Sequence, residues 1–276
     1  QPLVNHAGAE TLPPGSIFKI ITTAAGLNNG FDPSSTLTGS NVITLPDTVT
    51  ELTNYDNQKC NGQDAVTLQT AFALSCNTAF VEMSEQLGAD ELRKYAKAFG
   101  VGENYDLGVS TSAGTLGDLP DGSATAQSVI GQRDVTMTAL QAAVMAGTVA
   151  NKGTRMQPYL VNRITDAQMK DVRTTKPKKA DQAVNEETAA TLTDLMYASE
   201  RSSWGYDGNG FASKTGTAEH GEGLAPHVWY VAFDPERDIA VGVVVKNGGN
   251  LGESATGGKV SGPIGRAILR AYQGEQ

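Results

Sequence analysis

Apolar residues recur at helical spacing through the first half of the chain. The segment 16–27 (SIFKIITTAAGL) follows Pro13-Pro14-Gly15, which favours a sharp entry, and predicts a helix with Ser16 at its N-terminal end. Residues 31–62, rich in Thr, Ser, Asn and Pro, predict loops with short strands around 36–45. Ser75-Cys76-Asn77 interrupts the helical pattern. Further helices are predicted over 64–74, 78–87, 90–99 and 135–150.

β-branched and aromatic residues mark strands in the second half. Strands are predicted over 211–219, 227–233 and 239–246, the last two as a hairpin, with strand-like residues around 159–164. Asn185 caps a predicted helix that runs to about 199, and a final helix covers 260–272. This order predicts a single α+β domain, 1–276, with an antiparallel β-sheet flanked by helices and an all-helical lobe. The helical lobe is expected at about 30–180, and the α/β lobe at about 1–29 and 181–276.

The composition is that of a globular, acidic protein. Of 276 residues, 39% are hydrophobic and 18% are charged, and the formal net charge is −9. These values exclude a disordered chain and argue against nucleic acid as the main partner, since Lys176, Lys178 and Lys179 form the densest basic cluster. The longest uncharged stretches carry polar residues, so no membrane span is predicted. The chain opens without a signal-peptide pattern, and we expect a fragment of a longer protein.

The two cysteines, Cys60 and Cys76, exclude a cysteine metal cluster or a disulfide-rich scaffold. A disulfide between them would close a short loop and add roughly 3 kcal/mol in an oxidising compartment. Two buried free thiols are an equally good interpretation of the spacing.

Ser16 and Lys19 form the pattern S-x-x-K at the start of the first predicted helix. Three residues make nearly one helical turn, so the amine lies over the same face as the hydroxyl. A hydroxyl needs a base beside it to act as a nucleophile, and a lysine can be that base if burial or another cation lowers its pKa. The pair is therefore a candidate nucleophile and base.

Two further patterns suit the same chemistry. Ser75 and Asn77 (S-x-N) lie in the break between two predicted helices, where a proton-shuttling hydroxyl and an amide could point one way. Lys214-Thr215-Gly216 (K-T-G) falls in a predicted strand, where the cation and hydroxyl suit a carboxylate and the glycine permits close backbone approach. All three patterns in this order have a chance probability of roughly one in seventy.

These motifs resemble those of the penicillin-binding protein transpeptidase family, which shares them with the serine β-lactamases. Ala139 and Arg133 depart from the family, where Pro and Gly are usual. The family fold places the first strands of a five-stranded sheet before S-x-x-K, so an incomplete sheet is expected. The resemblance covers about residues 7–269 and is greatest to class B proteins, especially the actinobacterial penicillin-binding protein A type, in the segments PPGSIFK, LSCNTAF, GQRDVTMTALQAA, ASKTGTAE, HVWYVAF and VVVKNGG.

The resemblance implies a peptidoglycan D,D-transpeptidase that needs no cofactor and is acylated by β-lactams. Ser16 would attack the D-Ala-D-Ala bond of a stem peptide, Lys19 would take its proton, and an amine of a second stem peptide would accept the acyl group. Ser75 would pass a proton to the leaving amine, and Asn77 would hold the substrate amide and Lys19. The positively charged Lys214 would lower the pKa of Lys19.

The resemblance also implies how substrate is held and where the protein acts. Lys214 and Thr215 would bind the terminal carboxylate, within a substrate-binding strand that includes Gly216 and Thr217. The backbone N–H groups of Ser16 and Thr217 would form the oxyanion hole. The location implied is the extracytoplasmic face of the bacterial plasma membrane, with an N-terminal anchor outside this chain and cell-division or elongation proteins as partners.

A D,D-carboxypeptidase and a β-lactam-sensing receptor domain are alternatives to a transpeptidase, whereas a class A β-lactamase is not expected. A class A β-lactamase carries E-x-x-L-N, but Leu27-Asn28 has Ala24 at the position of the acid, so a long-lived penicillin acyl-enzyme is expected. A D,D-carboxypeptidase would use water as acceptor, and a β-lactam-sensing receptor domain would acylate without turning over peptide.

Other polar and aromatic residues have less specific interpretations. His6, His220 and His227 could form a Ser-His-Asp triad or, with Glu222, a zinc site, but they lack helical H-x-x-x-H spacing and no metal site is expected. Glu219 is interpreted as a strand-end charge. Trp204, Tyr206 and Trp229 are expected in the core rather than in a groove. Tyr230 alternates with Trp229, so one of the two should face outward.

Overall fold

The computed structural model describes residues 3–221 and 223–274. Its helices are α1 (His6–Ala9), α2 (Lys19–Leu27), α3 (Leu68–Leu74), α4 (Asn77–Ala98), α5 (Gly122–Ser128), α6 (Ala139–Ala150), α7 (Glu186–Ser202) and α8 (Gly257–Gly274). Its strands are β1 (Thr36–Thr38), β2 (Val42–Thr44), β3 (Glu51–Thr53), β4 (Ala65–Thr67), β5 (Thr154–Met156), β6 (Arg163–Thr165), β7 (Asp171–Thr174), β8 (Lys179–Gln182), β9 (Ala212–Ala218), β10 (His227–Asp234) and β11 (Ile239–Val245). These elements confirm the predicted α+β class, but the lobe expected at about 30–180 is not all-helical, because β1 to β8 form four two-stranded sheets there.

An antiparallel sheet in the order β11-β10-β9 organises the second half of the chain. The predicted strands and the β10–β11 hairpin are confirmed. Helix α8 packs on one face of the sheet, and α6 and α7 pack on the other. Trp229 and Tyr230 therefore point to opposite faces and are both fully buried, so the prediction that one faces outward is wrong.

Helix α2 lies in the middle of the molecule. It packs against α4 on one side and α7 on the other, and its turns are buried from Lys19 to Gly26. The predicted 16–27 helix is confirmed, with the difference that its first turn, Gly15–Phe18, is a 3-10 turn. Because this segment is part of the core, its N-terminal end has a fixed position.

The chain between α3 and α6 differs from the prediction at two helix starts. The predicted helix over 64–74 begins only at Leu68, because Val66 pairs with Leu37 in the β1–β4 ladder and Thr67 caps α3. The predicted helix over 135–150 begins at Ala139, and Thr138 supplies its capping box. Before that cap, the chain is extended and pairs with two other segments.

Some other elements also depart from the pattern. The predicted helices over 78–87 and 90–99 are confirmed as the two parts of α4, which is broken at Gly88 (φ 71°, ψ 173°). In the strand-like region around 159–164 only β6 forms, paired with β7 in an exposed hairpin. The short helices α1 and α5 had no clear apolar period.

Candidate active site

Ser16 lies in the 3-10 turn that leads into α2. The turn presses against β9: a Cβ atom on Gly15, whose φ is 53°, would lie 2.8 Å from the Thr217 carbonyl oxygen. A side chain at Gly15 would therefore be strained and crowded, which explains the glycine before the serine. The hydroxyl of Ser16 is held at the edge of the strand that carries K-T-G.

Two residues of the sheet support this turn. A Cβ atom on Gly216 would lie 2.9 Å from the Pro14 carbonyl oxygen. The glycine of K-T-G therefore makes room for the serine turn, whereas the sequence suggested room for a substrate backbone. From the next strand, the Trp229 indole N–H donates to the Pro13 carbonyl oxygen at 2.8 Å. Trp229 was predicted only as a core residue, and its second role follows from the fold.

The S-x-N motif forms a turn between α3 and α4. Ser75 has a left-handed backbone (φ 63°) and ends α3, and Asn77 is the first residue of α4. Cys76, between them, is joined to Cys60 by a disulfide with a Cα–Cα distance of 5.7 Å. The turn is thus covalently connected to the loop before β4, and its two polar side chains project toward α2.

Lys19 connects the first two motifs. Its Nζ lies 3.1 Å from the Ser16 Oγ, 2.7 Å from the Ser75 carbonyl oxygen, 3.3 Å from the Ser75 Oγ and 2.8 Å from the Asn77 Oδ1. The amine is therefore within direct proton-transfer distance of the candidate nucleophile.

Lys214 completes the cluster from β9. Its Nζ donates to the Ser75 Oγ at 2.9 Å and to the Thr215 carbonyl oxygen at 3.1 Å. The Ser75 hydroxyl consequently lies between two lysine amines. The structure brings together five of the predicted site residues: Ser16, Lys19, Ser75, Asn77 and Lys214.

The other strand residues are placed differently. Thr215 and Thr217 alternate with Lys214 and Gly216 along β9, so their side chains point to the other face of the strand. Both threonines are half-buried. They adjoin the cluster through the backbone.

Neither of the two lysine amines has a carboxylate among the hydrogen-bond partners described above. Burial, and then the charge of Lys214, hold the pKa of Lys19 well below its usual 10.5. Burial lowers the pKa of Lys214 to about 7. The shift of Lys19 favours its neutral amine, which is the form that can accept a proton from a hydroxyl, whereas Lys214 is divided between its charged and neutral forms near pH 7.

Sequence reasoning missed two aromatic residues of this site. The Lys19 Nζ lies 5.2 Å from the centre of the Phe80 ring, and the Lys214 Nζ lies 5.7 Å from that of Phe72. Both rings are fully buried and belong to the helices on either side of the S-x-N turn. The sequence shows their apolar helical spacing. Their contact with the lysines depends on how α3 and α4 pack against α2 and β9.

The histidines lie outside this cluster. His220 and His227 stack at the end of the sheet, and His6 pairs with Glu10. Glu222, the fourth member of the alternative zinc site, lies outside the described residues. In the described ranges, no group of three or more His, Cys, Asp and Glu side chains is arranged to hold a metal.

Several surface residues also lie apart from the cluster. Trp204 is 60% exposed and Tyr206 is 37% exposed, so the core prediction is wrong for both. They follow α7 in a loop. Glu219 is exposed after β9, and the side chains of Lys176, Lys178 and Lys179 are exposed around β8.

The chain belongs to the penicillin-binding protein transpeptidase domain family, whose model matches residues 1–270. It is similar to peptidoglycan D,D-transpeptidase PbpA of Mycolicibacterium smegmatis, with 45% identity over 98% of this chain and 57% of that protein. Its identity to PbpA of Mycobacterium tuberculosis is 42%, over 100% of this chain and 58% of that protein. The recognised family and its penicillin-binding protein A type are thus confirmed.

Solved structures agree with this assignment. Penicillin-binding protein A from M. tuberculosis as a penicillin G acyl-enzyme complex superimposes with a TM-score of 0.93 and 42% identity, over 99% of this chain and 63% of that chain. A ceftriaxone acyl-enzyme complex of the same protein gives 0.93 and 42%, over 98% and 62%.

The chain spans somewhat more than half the length of the curated relatives that it matches. Among the described residues, none of the helices combines the length and the apolar character that a membrane crossing requires.

Proposed function

We propose that the protein is a class B penicillin-binding protein with peptidoglycan D,D-transpeptidase activity, and that this chain is its transpeptidase domain. The observation that carries the proposal is the 3.1 Å contact between the Ser16 hydroxyl and a buried lysine amine whose pKa is lowered. The S-x-N and K-T-G motifs meet at the same amine through Ser75. The names of the relatives support the substrate class.

Acylation begins with proton transfer from the Ser16 Oγ to the neutral Lys19 amine. The oxygen then forms a bond to the carbonyl carbon of the penultimate D-Ala of a stem peptide, and the C–N bond to the terminal D-Ala breaks. Ser75, placed between the two lysines, delivers the proton to the departing amine. The products are an acyl-enzyme and free D-Ala.

An amine of a second stem peptide resolves the acyl-enzyme. It attacks the ester carbon, its proton passes to the Ser75–Lys19 pair, and the C–O bond to Ser16 breaks. A new amide forms and the serine is restored, so that two peptides are cross-linked. With penicillin the ring amide opens in the same way, and the ester persists.

Substrate contacts are assigned to the surrounding groups. The charged form of Lys214 attracts the terminal carboxylate, and Thr215 is assigned to the same carboxylate although its side chain lies on the other face of β9. Asn77 holds the substrate amide, and the backbone N–H groups of Ser16 and Thr217 stabilise the oxyanion. The closeness of the serine turn to β9 supports the last assignment, since it places both backbone segments beside one another.

We assign the site to the junction of two lobes of one domain, a lobe of helices and short two-stranded sheets at about 30–180 and an α/β lobe formed by the rest. The disulfide supports an extracytoplasmic location. An anchor outside this chain would hold the protein at the bacterial plasma membrane, where division or elongation proteins are its partners.

Intact mass after incubation with penicillin G tests the nucleophile. We expect one adduct per chain for the wild type, none for Ser16→Ala, and an unchanged adduct for Ser202→Ala, an exposed serine at the end of α7. An adduct on Ser16→Ala, or none on a folded wild type, would refute the proposal.

A D-Ala-containing thioester donor with a D-amino acid acceptor separates the related activities. Transfer to the amine supports a transpeptidase. Hydrolysis alone would indicate a D,D-carboxypeptidase, and acylation by penicillin without thioester turnover would indicate a receptor domain.

A further inference from the structure

Two of the three histidines in the chain stack at the end of the sheet. His227 is the first residue of β10, and His220 lies in the connection from β9. Their ring centres are 3.9 Å apart with an angle of 15° between the planes. Such a stack suits two neutral imidazoles, because two imidazolium charges at this separation would repel strongly.

The hydrogen-bond partners fix the form of each ring. The backbone N–H of Asn247 donates to the His227 Nδ1 at 3.1 Å, so this nitrogen keeps its lone pair and the ring proton lies on Nε2. The His220 Nε2 lies 2.9 Å from the Ala225 carbonyl oxygen, which can only accept, so that nitrogen carries a hydrogen. Protonation of His227 would place a second N–H against the Asn247 N–H.

The charged groups around His227 oppose protonation on balance. Burial, His220 and Lys246 lower its pKa, and Glu10 has the opposite effect. Glu10 is itself bonded to Lys246 and to His6. The exposed Glu219 begins the connection that carries His220.

Two contacts connect His227 to Gly15, the residue before the nucleophile. Ala218 is the cross-strand partner of His227. A Cβ atom on Gly15 would lie 3.0 Å from the Ala218 Cβ, so the end of β9 rests directly on the turn that carries Ser16. Loss of the Asn247–His227 bond would loosen the start of β10, which pairs with the end of β9 that supports this turn.

We propose that His220 and His227 are positioning residues, whose stack holds the end of β9 against the Ser16 turn, and that protonation of His227 disturbs the serine and the Thr217 N–H. The inference rests on the proposed acylation of Ser16. It predicts that acid slows acylation through a group that is not part of the lysine and serine cluster.

The test is the rate of penicillin acylation at about pH 4.5 divided by the rate at about pH 8, because His227 is expected to change charge below the usual range of histidine. His227→Asn keeps an acceptor for the Asn247 N–H but cannot be protonated. We expect its ratio to exceed that of the wild type about fivefold, and that of His220→Phe, which keeps the stack, to exceed it by less. His6→Asn, an exposed histidine bonded to Glu10, is the matched control and should keep the wild-type ratio. Protonation of Lys19 lowers the rate in every variant and cancels in the comparison.

NMR of the wild type provides a second measurement that does not depend on acylation. The Asn247 amide signal should shift with the titration of the His227 ring, below the usual pKa of histidine. Equal rate ratios for wild type and His227→Asn, or an Asn247 amide that does not respond when His227 titrates, would overturn the inference. Absence of acylation in every variant at both pH values would instead refute the proposed function, and the Asn247 titration would still show whether protonation of His227 breaks its bond to the Asn247 N–H.

Discussion

The two faces of β9 treat buried charge in opposite ways. On one face, Ser213 donates to the Glu200 carboxylate, which is fully buried and also pairs with Arg266 at 2.6 Å. On the other face, Lys214 meets the Ser75 hydroxyl, and Lys19 lies beyond it. Ser213 and Lys214 are neighbours in the strand. The first contacts the Glu200–Arg266 ion pair, and the second is one of two amines whose hydrogen-bond acceptors are neutral.

The buried charge on one face of β9 stabilises the fold, and the amines on the other face carry the chemistry. The Glu200 carboxylate also accepts from the Tyr230 hydroxyl at 3.0 Å and from the Asn209 Nδ2 at 2.9 Å, so α7, β9, β10 and α8 meet at one satisfied charge. Lys19 has acceptors too, but they are neutral and cannot offset the desolvation of an ammonium. The Glu200 carboxylate therefore serves a structural ion pair, while the Lys19 amine becomes a base.

The largest expected effect comes from Lys19→Met, which keeps the volume and removes the base. Acylation by penicillin should fall by about 10³-fold, because general base catalysis is lost. The free energy of unfolding should stay the same or rise, since a desolvated amine is removed. Stopped-flow acylation and urea unfolding measure the two effects, with the exposed Lys152→Met as control. A large loss of stability would mean that Lys19 is a structural cation like Arg266.

On the face of β9 that carries Ser213, Glu200→Ala should lower the free energy of unfolding by about 3–5 kcal/mol, because Arg266 is left buried without its partner. Glu187→Ala, an exposed carboxylate on the same helix, should change it by less than about 0.5 kcal/mol. Urea unfolding of both variants provides the comparison. A loss below about 1 kcal/mol for Glu200→Ala would contradict the structural role of this pair.

The S-x-N turn beside the lysines is held by a disulfide instead of an ion pair. Replacement of Cys60 and Cys76 by Ser together should lower the free energy of unfolding by about 3 kcal/mol, because the unfolded chain regains the freedom of the loop between them. Denaturant unfolding without reductant measures this. If the double variant matched the wild type, the turn would be held by its hydrogen bonds alone.

The smallest effect is a pH dependence of stability. The pKa of Lys214 is about 7 in the folded protein against 10.5 when unfolded, so the unfolded chain binds more protons between these values. Stability therefore rises with pH in this window, by about 1.5 kcal/mol from pH 7 to 8.5. In Lys214→Met this contribution should vanish. An equal slope in both proteins would place the titration elsewhere.

The two faces also differ in how much the sequence revealed. The cluster on the Lys214 face was predicted, because S-x-x-K, S-x-N and K-T-G have recognisable spacings and lie at a helix start, a helix break and a strand. The Glu200–Arg266 ion pair on the other face was not, because the two residues are 66 positions apart and no local pattern pairs them. The same limit applies to Trp229 and Tyr230, whose burial on both faces depends on helices from distant parts of the chain. The disulfide was an open alternative, since spacing alone does not show which loops come together.

The central claim is that Lys19 is neutral when it meets the Ser16 hydroxyl. NMR titration of lysine side-chain signals, with Lys19→Met to assign the resonance, measures this directly. We predict a titration well below the usual 10.5, which moves upward when Lys214 is replaced by Met. A Lys19 signal that titrates at or above the usual lysine value would contradict the account.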